Sequence, residues 1–147
     1  MLGSGDTAVE HELDQLRYRF PGYYSTYIGY NERLAHIVYA AADFLVMPSR
    51  VEPCGLNQMY ALRYGTVPIV NKVGGLKDTV QDFDDNGFGV LHDGATIEEG
   101  SFAIHRAIDF YNETDRFKKN RNLIMKIDHS WDTSAQAYIN LYNSLIP

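Results

Sequence analysis

Residues 43–70, DFLVMPSRVEPCGLNQMYALRYGTVPIV, constrain the fold more than any other stretch of the chain. They spell strand, loop, helix, glycine, strand. The run Phe44-Leu-Val-Met47 is apolar without alternation, the pattern of a parallel strand covered on both faces. Residues 56–64 follow as a helix stopped by Gly65, and residues 67–70 read as a second strand. The same rhythm extends to both sides. Residues 6–20 carry Val9, Leu13, Leu16 and Phe20 at helical spacing, with Asp6 or Thr7 as cap and Pro21-Gly22 as stop. Residues 23–28 read as a short strand, and 32–41 as a helix with Leu34, Ile37, Val38 and Ala41 on one face. Further on, Gly74-Gly75 turns into a short helix at 76–80. An acidic loop occupies 82–86, and 87–91 read as a last short strand. Helices are expected at 96–111, 113–127 and 130–145. Strands alternating with helices through short loops imply an α/β fold: an open, doubly wound parallel sheet with flanking helices. Such sheets bind ligands beyond the carboxyl ends of their strands, where helix N termini point outward. The loop after Met47 is one such end, as are Gly3-Ser-Gly5, Tyr30 and Val73-Gly-Gly75.

Composition removes several classes of function. A length of 147 residues suits one domain, or a piece of something larger. Hydrophobic residues make up 45%, and no segment reaches the ~20 apolar residues of a membrane span. The opening MLGSGDTAVEHE lacks the basic-then-apolar pattern of a secretory leader. A single cysteine excludes an intrachain disulfide and fits a reducing cytoplasm, which is the expected location. A net charge of −6, with Lys118-Lys119-Asn120-Arg121 the one basic cluster, argues against a nucleic-acid partner. The histidines lack metal spacing, so no metal and no other cofactor is expected.

The loop after Met47 carries the densest chemistry. Gly55 opens a helix whose free N–H groups and positive dipole end suit an anion, and Pro53 fixes the turn before it. Glu52 is the odd neighbour, since a carboxylate beside an anion pocket needs a partner of its own. Two readings fit. Either a sugar hydroxyl or positive charge developing on a sugar ring supplies that partner, or Glu52 merely complements the helix dipole. Cys54 has no histidine beside it to activate a nucleophile and reads as a packed or ligand-touching thiol. Tyr30, at a strand end after Gly29, either stacks on a nucleobase or packs. Val73-Gly-Gly-Leu76 either cradles a phosphate or sugar, or is a turn. Gly3-Ser-Gly-Asp-Thr-Ala8 matches G-x-G-x-x-A, yet no full strand precedes it and no acid ends the next strand, so NAD is not expected. The stripe Trp131, Ala135, Tyr138, Tyr142 and Leu145 is expected to pack a C-terminal helix onto a body.

The stretch GYNERLAHIVYAAADFLVMPSRVEPCGLNQMYALRYGTVPIVNKVGGLKDTV closely resembles the core of the C-terminal domain of bacterial glycogen synthases and plant starch synthases. The likeness continues through NGFGV at 86–90 and SWDTSAQAYINLY at 130–142. Pro-Ser-Arg-x-Glu-Pro-Cys-Gly-Leu followed by Tyr-Gly-Thr-x-Pro is its most specific part. The resemblance implies a retaining glycosyltransferase of the GT-B architecture, with two Rossmann-like domains. Such enzymes move glucose from a nucleotide sugar, usually ADP-glucose and alternatively UDP-glucose, to the non-reducing end of an α-1,4-glucan without a metal. It implies that Glu52 supports the glucose hydroxyls and the developing oxocarbenium charge, and that Tyr30 stacks on adenine. Cys54, Gly55, Leu56 and Asn57 would meet glucose and diphosphate, largely through backbone N–H groups. A front-face mechanism comes with the family, the leaving diphosphate helping to deprotonate the acceptor. Broader relatives carry Glu-x7-Glu; Tyr60 stands at the second position here, which matches the glycogen and starch synthase branch. Asn57 replaces the threonine of some bacterial members.

On this reading residues 1–147 are a truncated nucleotide-sugar-binding domain, with 130–147 as its packing helix. The family's first strand and helix of this domain, bearing an Arg and a Lys that clamp the diphosphate, would lie upstream of Met1. So would the N-terminal domain with its Lys-x-Gly-Gly-Leu loop. In 3-2-1-4-5-6 strand order the absent strand is central, so a rearranged sheet or exposed strand edges are expected, with self-association through those edges. A helix terminus contributes at most ~2 kcal/mol, against the ~8 kcal/mol of micromolar binding. The chain alone is therefore expected to bind its donor weakly and to transfer nothing. The alternative is a free-standing module that binds a nucleotide sugar or a glucan without catalysis.

Overall fold

Asp6 opens the first helix. Its Oδ1 accepts from the N–H groups of Ala8 (2.9 Å) and Val9 (3.2 Å), two of the donors that a helix start leaves orphaned. This helix, α1 (Thr7–Arg19), belongs to the first of two compact units. The structure, a computed structural model describing residues 1–146, divides into Met1–Val38 and a second unit from Tyr39 onward. In the first unit β1 (Leu2–Gly3) and β2 (Tyr27–Ile28) pair in parallel, Leu2 opposite Tyr27 and Gly3 opposite Ile28. The strand expected over 23–28 thus shrinks to its last two residues. The N–H groups of Tyr23 and Tyr24 both go to the Phe20 carbonyl, at 3.1 and 3.0 Å, which holds these residues in a turn and leaves no donor for a ladder. The next helix, α2 (Glu32–Ala41), starts after Asn31, whose Oδ1 accepts from the Leu34 N–H at 2.9 Å.

The second unit contains a parallel sheet in the order β3-β4-β5, made of β3 (Phe44–Met47), β4 (Val67–Asn71) and β5 (Val90–His92). The crossover from β3 to β4 runs through α3 (Asn57–Tyr64), and that from β4 to β5 through α4 (Gly74–Thr79) and a 3-10 turn at Phe83–Asp85. Three helices follow: α5 (Ile97–Asn112), α6 (Thr114–Ile124) and α7 (Trp131–Leu145). All five residues of β4 are buried. Successive strand side chains point to opposite faces, and β4 has a core on each. Val67 and Ile69 join Leu62, Val90, Phe110 and Phe117, while Val70 packs with Met47, Leu76 and Val80. Phe110 stacks on Phe83 with ring centres 4.7 Å apart.

Pro68 sits inside this central strand without breaking it. The Val67 N–H donates to the Asp43 carbonyl (2.9 Å), so the next nitrogen faces β5. Pairing with β5 begins only at Ile69, opposite Val90, and the proline's missing donor falls just ahead of that ladder.

The parallel α/β class follows the sequence expectation, but the strands form two sheets instead of one. Burial on both faces also belongs to β4 and not, as expected, to β3. Among the described residues β3 pairs only with β4, and Val46 is 49% exposed. The helix α7 has no buried residue among those described, and Trp131 is 87% exposed. Its stripe lies open. No helix among the described residues is long and apolar enough to cross a membrane.

Candidate functional site

The loop of residues 48–56 leaves the carboxyl end of β3 and enters α3, and three backbone anchors shape it. Asn71, the buried last residue of β4, donates from Nδ2 to the Ser49 carbonyl (2.8 Å), and its Oδ1 accepts from the Gly94 N–H (3.0 Å). One side chain therefore ties two strand-end loops together. The Gly75 N–H donates to the Glu52 carbonyl at 3.1 Å. The third anchor is Gln58, fully buried on α3, which donates from Nε2 to the carbonyls of Cys54 (3.1 Å) and Gly55 (2.8 Å).

The close approach of α4 explains its paired glycines. Gly74 has φ +45°, and a Cβ on it would run into the Glu52 carbonyl; one on Gly75 would run into the backbone of Cys54. Val73-Gly-Gly-Leu76 thus starts a helix pressed against the loop that carries Glu52.

Glu52 is half-buried, and its carboxylate Oε2 accepts one long hydrogen bond, from Ser49 Oγ at 3.5 Å. It forms no ion pair among the described residues. Beyond it Cys54, Leu56 and Asn57 are exposed, and Gly55 turns the chain at φ +76°. The Cys54 thiol donates to the Gly55 carbonyl (3.6 Å). The helix begins at Asn57, one residue later than expected, and Leu56 at its N-cap makes no side-chain capping bond. The first turn thus offers its N–H groups and the positive end of its dipole to whatever lies outside. An uncapped helix start directly after a carboxylate supplies donors for an anion and an acceptor for hydroxyls on one short loop.

The structure thus gathers Glu52, Cys54, Gly55 and Leu56 on a single loop of the second unit, with Asn57 the first residue of the helix it enters. Tyr30 belongs to the first unit. It is 84% exposed, with Oη donating to Glu32 Oε2 at 3.4 Å, which leaves its ring faces open. A cavity of about 580 Å³ beside β5, lined by Lys72, Lys77, Asp82, His92 and Asp93, includes none of the expected residues. Leu56 lines a different cavity, of about 620 Å³, together with Met59, Tyr60, Arg63 and Trp131.

Sequence reasoning missed Asn71 and Gln58. A signal existed for Gln58: it stands three and four residues before Ala61 and Leu62, the other buried positions of α3, and so lies on the inward face. Asn71 gave only its position at the end of an apolar strand.

Comparison with known proteins joins this geometry to a family. A family model described as "Glycosyl transferases group 1" matches residues 24–123, a span that contains Tyr30 and the whole loop. The glycogen synthase of Flavobacterium johnsoniae is 51% identical over 146 residues, covering 99% of this chain and 31% of that protein. The glycogen synthase of Rhodospirillum rubrum is 45% identical, covering 99% and 30%. Among solved structures, the catalytic domain of starch synthase IV from Arabidopsis thaliana, bound to ADP and acarbose, superposes with a TM-score of 0.84 at 34% identity, covering 97% of this chain and 31% of that one. The chain therefore spans about a third of the length of these relatives. It belongs to the group 1 family of glycosyl transferases.

Proposed function

We propose that this chain carries the nucleotide-sugar side of a retaining glycosyltransferase that moves glucose from ADP-glucose to the non-reducing end of an α-1,4-glucan. The observation that carries this reading is the juxtaposition of Glu52, free of any ion pair among the described residues, with the uncapped start of α3. In this reading Glu52 holds the glucose hydroxyls and the charge that develops on the sugar ring. The N–H groups from Gly55 to Asn57, with the Cys54 peptide, receive the diphosphate, and Tyr30 stacks on the base. Residues 1–147 then form part of a C-terminal nucleotide-sugar domain, with α7 packing against another part of a longer protein in the cytoplasm. One helix terminus supplies at most ~2 kcal/mol, far below the ~8 kcal/mol of micromolar affinity, so the chain alone binds its donor weakly.

The test joins this chain to the part of the Flavobacterium johnsoniae glycogen synthase that it does not match. Labelled ADP-glucose should then enter glycogen, and Glu52→Ala should cut turnover by about 10²–10³-fold, the usual cost of removing one group that stabilises transition-state charge. Wild-type turnover in that variant removes Glu52 from the mechanism. Incorporation from UDP-glucose alone replaces the donor.

A further inference from the structure

Gln58 makes three contacts through one nitrogen. Besides the Cys54 and Gly55 carbonyls, Nε2 lies 3.0 Å from Thr79 Oγ1 on α4. The Thr79 hydroxyl proton is committed to the Gly75 carbonyl at 2.7 Å, so its oxygen lone pair faces Gln58. A closed circuit results. Gln58 holds residues 54 and 55, Thr79 holds Gly75, and the Gly75 N–H returns to the Glu52 carbonyl.

The chemistry of the circuit admits few side chains. Three acceptors converge on the position of Nε2, so a carboxylate there would set oxygen against two carbonyls. A hydrocarbon would take the amide donor away from both carbonyls. The other end of the amide shows what this arrangement costs. Oε1 is buried with no partner among the described residues, and it stands 2.5 Å from where a Cβ on Gly55 would be. An orphaned acceptor in a tight interior is rare enough to need a reason. Here the reason is the opposite end of the same group, which is the donor the loop requires. Gly55 serves both demands, with a positive φ and no Cβ to displace the amide.

We propose that Gln58 is a positioning residue for the sugar-binding loop: the donor end of its amide sets where Glu52 and the Cys54–Gly55 peptide stand against α4. What the loop binds rests on the function proposed above; the clamp itself does not.

Amide exchange in the 147-residue chain tests the clamp directly. In Gln58→Met, which keeps side-chain length and loses the donor, the Gly75 amide should exchange at least tenfold faster than in the wild type. The amides of Ile69 and Val70 in β4 should keep their rates. In Gln58→Glu the ratio to wild type, taken at matched pH, should stay near one while the acid is protonated and retains an O–H donor. It should rise once the acid ionises. An unchanged Gly75 rate in both variants overturns the proposal, as does an equal acceleration throughout β4, which would make Gln58 a mere packing residue. In the fused enzyme Gln58→Met should lower kcat about tenfold more than it raises KM for glucan; full turnover removes the catalytic consequence. If the wild-type fusion transfers no glucose, the functional reading fails, and the exchange rates still decide the clamp.

Discussion

The two units are built from similar ingredients and bury them differently. Each has short parallel strands and amphipathic helices. Yet neither α1 nor α2, whose last three residues belong to the second unit, has a buried residue, and every buried hydrophobic among the described residues, from Met47 to Ile124, belongs to the second unit. The difference lies in what faces the apolar side of each element. In the second unit β4 has strands on both flanks and helices over both faces, so alternate residues reach two cores. In the first unit the β1–β2 ladder is two residues long, below what a two-stranded pair needs to stand alone. Helical spacing marks a face; only an opposing layer makes that face a core.

The strongest way to break this comparison is to truncate one apolar side chain in each kind of environment and compare the losses. Phe110 is 1% exposed, stacked on Phe83 and edge-on to Phe117 at 5.4 Å. Phe110→Ala should lower unfolding free energy by about 3–5 kcal/mol in a urea titration. Val9→Ala in α1, where the side chain is half-exposed, should stay within about 0.5 kcal/mol. Comparable losses at the two positions would mean that the first unit shares the second unit's stability.

The next test asks whether polar contacts follow the same division. Asp82 accepts from both terminal guanidinium nitrogens of Arg106 and from the Leu91 N–H (2.8 Å), and Arg106 also donates to Asp84 (2.6 Å) and to the Leu91 carbonyl (2.9 Å). Burial alone would push the Asp82 carboxyl up. The hydrogen bonds from Arg106, Asp84 and Leu91, with the arginine's charge, outweigh it and hold the carboxyl below its ordinary range. A carboxyl lowered in the folded state contributes stability that is complete above its unfolded value of about 4 and is lost as pH falls through the lower folded value. Asp82→Asn should cost about 2 kcal/mol at neutral pH and flatten this acid limb of the stability curve. A limb of unchanged steepness in the variant would assign the acid sensitivity to other carboxylates.

The same division explains which parts of the molecule could be read in advance. The helix α2 matches its expected bounds because Asn31 and the apolar spacing act locally. The β4 strand matches, with one added residue, because its apolar run is unbroken. The last strand moved from 87–91 to 90–92 because the N–H groups of Gly87 and Gly89 are taken by the carbonyls of Asp82 and Gln81. Such partners inside one loop leave no apolar period to read. The loop from Glu52 to Asn57 was legible because its residue types are costly as a mere connector. Gln58 was legible only as an inward position of α3, from its spacing to Ala61 and Leu62; its partner Thr79, 21 residues along the chain, was not.

The smallest expected effect also probes the comparison most finely. Asp6 caps α1 through two backbone donors, and the same helix start is closed by the Gly5 N–H donating to Glu10 at 2.7 Å. Losing an N-cap carboxylate costs about 1 kcal/mol of helix stability. In a unit whose helices bury nothing, that loss has no core to absorb it, and it should appear where it is made. Asp6→Ala should therefore speed amide exchange across α1 about fivefold while the urea midpoint of the second unit stays where it is. A shift of that midpoint would show that the two units unfold as one, and exchange rates unchanged in α1 would show that Glu10 alone holds the helix start.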